Sequence, residues 1–187
     1  MTPASVVEQS GTGLPIAVDM DGTLILTDMS WISIRRVFLR RPWLIPGMLL
    51  NEISGRRAQW KRDLGERLVF NPAELRFHEE FLDWLTGEHA KGRTLVLATA
   101  SDRLIAEQVA GYVGLFSDVM ASDRGFNLRG QKKAEALVSR FGERGFSYAG
   151  NSKHDLAVWD CAGEVIVVNP ERGLLDKVGD SADIIFE

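Results

Sequence analysis

Cysteine is almost absent from the 187 residues: Cys161 stands alone. That excludes a disulfide framework and a cysteine metal cluster. The residue reads as a small packing group on a helix, and such sparing use of cysteine points to a reducing, cytoplasmic setting. Long apolar runs are missing too. None approaches the ~20 residues needed to span a bilayer. Residues 1–13 lack the charged start and apolar stretch of a signal peptide and read as a flexible tail. No repeat or low-complexity tract stands out. A net charge of -4 argues against a nucleic-acid binder. What is left is a chain of ordinary globular composition, long enough to bury a substantial core as one domain with an insert.

The charge that is present is unevenly spread. Ten Lys/Arg and four Asp/Glu fall between Met29 and Arg76, a net of +6, whereas the rest of the chain carries twelve and twenty-two, a net of -10. A basic insert in an acidic body suggests a surface that faces anions. Within it, Ser30 is placed to cap a helix with Trp31, Ile34 and Phe38 on one stripe and Arg35, Arg36 and Arg40 off it. Trp43–Ile53 is strongly apolar despite Pro46 and Gly47, and Arg56–Leu68 reads as a basic helix. These pieces make a small all-helical insert over residues 29–70, with the body formed by residues 14–28 and 71–187.

Elsewhere strand and helix signals alternate. Leu14–Asp19, Thr94–Ala98, Asp118–Ala121, Phe146–Ala149, Val165–Val168 and Ile184–Phe186 read as strands. Asn71-Pro72 signals the start of a long helix. That helix carries Phe77, Phe81, Trp84 and Leu85 on one stripe and ends near Lys91-Gly92. Further helices follow Asp102, span Gln131–Phe141 and span Leu156–Cys161. Alternation of this kind predicts an α/β fold, a Rossmann-like parallel sheet with helices on both faces. Ligands bind such sheets at the carboxyl ends of their strands. The polar clusters Asp19/Asp21, Thr99/Ser101 and Asn151/Asp155 each follow directly on an apolar strand.

The stretch Ile16-Ala17-Val18-Asp19-Met20-Asp21-Gly22-Thr23-Leu24 organises the rest. Residues i and i+2 of a strand share a side, so Asp19 and Asp21 point together and Met20 away. Two such carboxylates need positive charge beside them, and a bound cation meeting an incoming phosphate would make sense of that geometry. An acidic turn after a buried strand is the plainer alternative.

These residues resemble the haloacid dehalogenase superfamily of phosphatases. Asp19-Met20-Asp21-Gly22-Thr23 matches the first motif of that family, Thr99 the second, Lys133 the third and Gly150-Asn151-x-x-x-Asp155 the fourth. The resemblance implies that Asp19 attacks phosphorus to form an aspartyl-phosphate. Asp21 would serve as general acid and then base. Asp19, Asp21 through its carbonyl, Asn151 and Asp155 would hold Mg²⁺. Thr99, the backbone at Ala100 and Lys133 would bind the phosphoryl oxygens of a small-molecule phosphate. Lys132 competes with Lys133 for the third motif, and Lys133 is preferred for its spacing from Gly130. Asn151 departs from the family, which places Asp there, so a weaker metal site is expected. Ser101 has no paired His and Asp to make it a nucleophile, and His78, His89 and His154 show no metal-ligand spacing.

The insert falls where the family places a helical cap like that of phosphoserine phosphatase. Its aromatic and arginine residues read either as cap core with a solvated basic face or as a surface for lipid headgroups. Arg40-Arg41-Pro42-Trp43, Leu97-Ala98-Thr99-Ala100-Ser101-Asp102, Tyr148-Ala149-Gly150-Asn151-Ser152 and Val167-Val168-Asn169-Pro170 are similar to the cytosolic domain preceding some bacterial UbiA-type prenyltransferases. That implies a prenyl- or sugar-linked phosphate, a prenyltransferase partner and a place at the inner membrane face. The competing expectations are a phosphatase, a catalytically weak binding module of the same fold, and phosphoryl transfer to an acceptor other than water.

Overall fold

A computed structural model describes residues 13–26, 71–123 and 125–187. The expected tail, but for Gly13, and the expected helical insert lie outside the described residues. Within them, six strands form one parallel sheet: β1 (Ile16–Val18), β2 (Leu95–Asp102), β3 (Asp118–Ser122), β4 (Ser147–Gly150), β5 (Glu164–Val168) and β6 (Ile184–Phe186). Their order is β3-β2-β1-β4-β5-β6. Sequence order runs outward from β1 in both directions, so the topological switch, and the crevice that goes with it, lies at the end of β1. The expected α/β fold is what forms.

Both faces of the sheet are covered, which is why its strands read as apolar runs without clear alternation. Ile16 and Val18 face one side, packed with Phe81 and Leu85 of α1 (Glu79–Ala90) and Ile105 and Val109 of α2 (Arg103–Val113). Ala17 faces the other, with Leu137 of α3 (Gln131–Phe141), Val158 and Trp159 of α4 (Leu156–Trp159) and Val178 of α5 (Leu175–Val178).

Three local expectations are corrected. Asn71 caps as its sequence signal suggests, accepting from Ala73 N–H at 3.1 Å, but the turn it starts is a single 3₁₀ turn, Pro72–Glu74. The chain then extends, because Arg76–His78 run beside Leu24–Leu26. Leu26 N–H donates to Arg76 O at 2.8 Å, His78 N–H donates to Leu24 O at 3.0 Å, and Phe77 pairs with Ile25. The helix begins only at Glu79, where the His78 ring accepts from Phe81 N–H and two glutamates suit the first turn. The segments flanking residues 27–70 therefore lie side by side. Second, β2 runs on through Asp102 instead of ending at Ala98, since its pairing with β3 continues past a bulge between Thr99 and Asp102. Third, α4 ends at Trp159, which leaves Cys161 half-buried in the following turn instead of on the helix.

Candidate active site

Asp19 leaves β1 at its carboxyl end, 8% exposed, with its N–H bonded to Ala149 O at 2.9 Å. The turn after it is tight. Gly22 N–H donates to Ile25 O at 2.8 Å and Ile25 N–H to Met20 O at 3.0 Å. Gly22 has φ 81°, a backbone region that favours glycine, and a side chain there would also collide with the Asn151 amide. The Asp21–Gly22 peptide is trans. Its N–H points at Ile25, so the Asp21 carbonyl is fixed in the opposite direction. Met20 is fully buried among core residues, away from the carboxylates, as strand alternation requires.

Lys133, in the first turn of α3, comes back across the sheet end. Its ammonium donates to Asp19 Oδ1 at 2.7 Å and to the Tyr148 hydroxyl at 2.8 Å, and it lies 3.8 Å from Asp155 Oδ1. Tyr148 in turn donates to Asp155 Oδ1 at 2.6 Å. Lys132 lies over the Phe126 ring instead, 5.7 Å from its centroid. Burial pushes the Asp19 carboxyl well above the usual range, and the Asp155 and Asp21 charges add to this, against the pull of Lys133. For Lys133, burial works to lower the pKa, but Asp19 and Asp155 outweigh it and keep the ammonium protonated. Burial, then the Asp155 and Asp19 charges, raise the Tyr148 phenol, so it stays a neutral donor.

The bulge in β2 sets the other wall. Ser101 Oγ donates to Asp21 Oδ2 at 2.6 Å, and Ser101 N–H donates to Thr99 Oγ1 at 3.0 Å. Thr99 thus accepts from its own strand and keeps its hydroxyl proton to give. The Ala100 carbonyl accepts from Ser122 Oγ at 2.8 Å, which ties the bulge to β3. Bulges beside sites re-aim side chains in this way.

The fourth cluster is built around Asp155. Asp155, expected as a metal ligand, has its carboxylate taken up inside the chain. Oδ1 accepts from Tyr148, and Oδ2 accepts from Asn151 N–H, Ser152 N–H and Ser152 Oγ at 3.2, 3.0 and 2.9 Å. It organises the loop, with Ser152 in a reciprocal capping box. Asn151 packs its side chain against Gly22, beside the Asp19/Asp21 turn. Among the described residues, no three acidic, histidine or cysteine side chains form a metal cluster.

The sites proposed from sequence all lie at the carboxyl end of the sheet: Asp19 and Asp21 just past β1, Thr99 and Ala100 within β2, Asn151 and Asp155 just past β4, and Lys133 at the start of α3. Three participants escaped it. Tyr148 looked like one more strand residue. Ser101 belongs to the Thr99/Ser101 cluster, but its contact with Asp21 has no signal beyond its i+2 spacing from Thr99. Asn169 lies in the loop after β5, and its amide donates to Gly22 O at 3.0 Å.

No protein-family model matches the chain. A curated relative, the uncharacterized protein y4nM of Sinorhizobium fredii, is 32% identical over 155 residues, which is 83% of this chain. The chain spans only 30% of that relative's length. Among solved structures, a protein of unknown function from Bordetella pertussis aligns with a TM-score of 0.69 at 15% identity, over 92% of this chain and 97% of its own. A HAD family hydrolase from Salmonella enterica serovar Typhi gives 0.63 at 15% identity, over 88% and 66%. A substrate-bound phosphoserine phosphatase gives 0.62 at 14% identity, over 95% and 94%. With the sheet order and the placement of the four clusters, these likenesses show that the chain has the fold of the haloacid dehalogenase-like hydrolases.

Proposed function

We propose that the chain is a phosphomonoesterase that works through a covalent phosphate on Asp19. The observation that carries this reading is the pairing of the two aspartates with different partners. Asp19 is held by Lys133, Asp21 by Ser101. One carboxylate is fixed against a cation that can also meet phosphoryl oxygens. The other is held by a hydroxyl beside the same turn, suited to moving a proton.

In the proposed reaction an Asp19 oxygen attacks phosphorus as the ester P–O bond breaks, and Asp21 gives its proton to the departing alkoxide. Asp21, now a carboxylate, takes a proton from water as that water attacks the phosphoaspartate. Phosphate leaves and Asp19 is regenerated. Lys133 and the Thr99 hydroxyl donate to the phosphoryl oxygens as charge redistributes. The donor set fits a hard cation: an Asp19 carboxylate oxygen, the Asp21 carbonyl fixed by its peptide plane, and the Asn151 amide oxygen are all oxygen donors. Mg²⁺ held there would neutralise phosphate charge. With one carboxylate among these donors, it would be held more weakly than by two.

A phosphatase panel with Mg²⁺, comparing wild type with Asp19→Asn, tests the reading. Wild type is expected to hydrolyse at least one phosphate ester, and Asp19→Asn to lose roughly 10³-fold or more in kcat. Activity that survives the substitution would refute the covalent route. Substrate class is proposed from the sequence resemblance: a prenyl- or sugar-linked phosphate, handled beside a membrane prenyltransferase. A second reading, a phosphate- or partner-binding module of low activity, draws on the neutral Asn151 and the fully bonded Asp155.

A further inference from the structure

We propose that Asn169, outside the four matched motifs, is a positioning residue that fixes the Asp21–Gly22 turn for catalysis. The inference rests on the phosphatase reading for its kinetic consequence, but its physical content is independent of it.

Asn169 follows β5 directly and has φ 45°, a left-handed conformation that asparagine tolerates better than most residues. Its own N–H donates to Phe186 O at 2.8 Å, at the end of β6. Phe186 is packed against Phe81 and Trp84, with ring centroids 5.2 and 5.5 Å away. The backbone of Asn169 is therefore anchored in the main core. From that anchor the side-chain amide reaches Gly22 O at 3.0 Å.

The consequence lies in the peptide planes. The peptide before Gly22 is pinned by the bond from Gly22 N–H to Ile25 O. The peptide after it is pinned by Asn169. Glycine has the widest conformational freedom of any residue, so without the second bond the Gly22 ψ angle would be the loosest joint between Asp21 and the rest of the turn. The same loop also braces the opposite wall, because Glu171 N–H donates to Asn151 O at 2.9 Å. One loop thus sets the spacing between the aspartate turn and the Asn151 loop. Small misplacements at a reacting centre are costly, so this brace is expected to act on turnover more than on substrate binding.

Three variants separate the amide from the backbone. Asn169→Gly keeps the left-handed conformation and deletes the amide. Asn169→Asp keeps size and conformation but turns a donor into an acceptor facing Gly22 O. Asn169→Ala deletes the amide and adds backbone strain. With p-nitrophenyl phosphate and Mg²⁺, all three are expected to lower kcat by about tenfold or more with KM within about twofold. Amide hydrogen exchange, read by NMR on each folded variant, is expected to quicken at Gly22 and Ile25, whose N–H groups close the turn. Normal kcat and exchange in Asn169→Gly and Asn169→Asp, with only Asn169→Ala impaired, would overturn the proposal and leave a backbone role alone. If wild type hydrolyses no phosphate ester, the phosphatase reading falls while the exchange measurement still decides the brace: quickened exchange in Asn169→Gly supports it and unchanged exchange overturns it.

Discussion

At the scale of single residues, the aspartate pair was legible because Asp-x-Asp-Gly-Thr is a local pattern. Its spacing alone puts both carboxylates on one side of a turn. Tyr148 was not legible, because a strand buried on both faces carries no alternation to show which side chain tops out beside a polar neighbour. Yet Tyr148 is fully buried, and its hydroxyl both receives from Lys133 and gives to Asp155. Tyr148→Phe keeps the ring and its packing against Trp159 but leaves Asp155 Oδ1 without its neutral donor. A buried polar group left short of a partner costs about 1–3 kcal/mol. Urea unfolding at neutral pH is expected to show a loss of that size. A loss below about 0.5 kcal/mol would mean that water or a shifted Lys133 makes good the bond, and that the relay is not what holds Lys133 in place.

Among the elements, a buried cluster at the opposite end of the sheet sets how the strands come together. The Arg93 guanidinium, just before β2, donates to Leu14 O, Glu88 of α1, Ser147 of β4 and Glu164 of β5. Arg93 and Glu88 are 6% and 3% exposed, so the pair is sheltered from screening. Burial works to raise the Glu88 pKa, but hydrogen bonds from Lys91 and Arg93 prevail and hold it below its ordinary value. A carboxylate with a depressed folded pKa contributes stability above its unfolded pKa and loses it as pH falls through the folded value. Arg93→Met takes the guanidinium from two buried carboxylates, leaving Glu88 with Lys91 and Glu164 with Ser147, so at pH 7 it is expected to cost up to about 3–5 kcal/mol. As pH falls below the ordinary value of 4.5 the unfolded chain takes up its proton first and the native carboxylate only at its lower value, so the stability contributed by the pair, and with it the cost of the substitution, should shrink. Urea unfolding of both proteins at neutral and acid pH checks the sign; an equal cost at both would show that the charge is not what matters. Long-range pairing also explains which element boundaries the sequence concealed. The Asn71-Pro72 cap is a local signal, and it formed. The break after Glu74 depends on pairing with Leu24–Leu26, far away in the chain, and no window around Glu74 contains it.

For the whole molecule, the parallel sheet and the end at which the polar clusters gather followed from the order of strand and helix signals, since the right-handed crossover and the switch-point rule leave few arrangements. What order alone does not supply is the surface the molecule presents to a partner, and here charge is the guide. The segment from Met29 to Arg76 carries a net +6 and the remainder a net -10. Among the described residues no helix is long and apolar enough to cross a membrane, and the charge pattern suggests a surface contact as the form of the proposed membrane link. A basic, aromatic-bearing segment meets anionic headgroups through charge and apolar contact together. The acidic remainder would be repelled by the same headgroups, which favours one orientation over tumbling contact. The 187-residue chain is therefore expected to float with vesicles containing anionic lipid and not with neutral ones. The bound fraction should fall as salt shortens the screening length from about 10 Å at 0.1 M to about 3 Å at 1 M. Flotation with neither kind of vesicle would sink the membrane proposal. Equal flotation with both, unaffected by salt, would assign the contact to the apolar residues and remove charge from the argument.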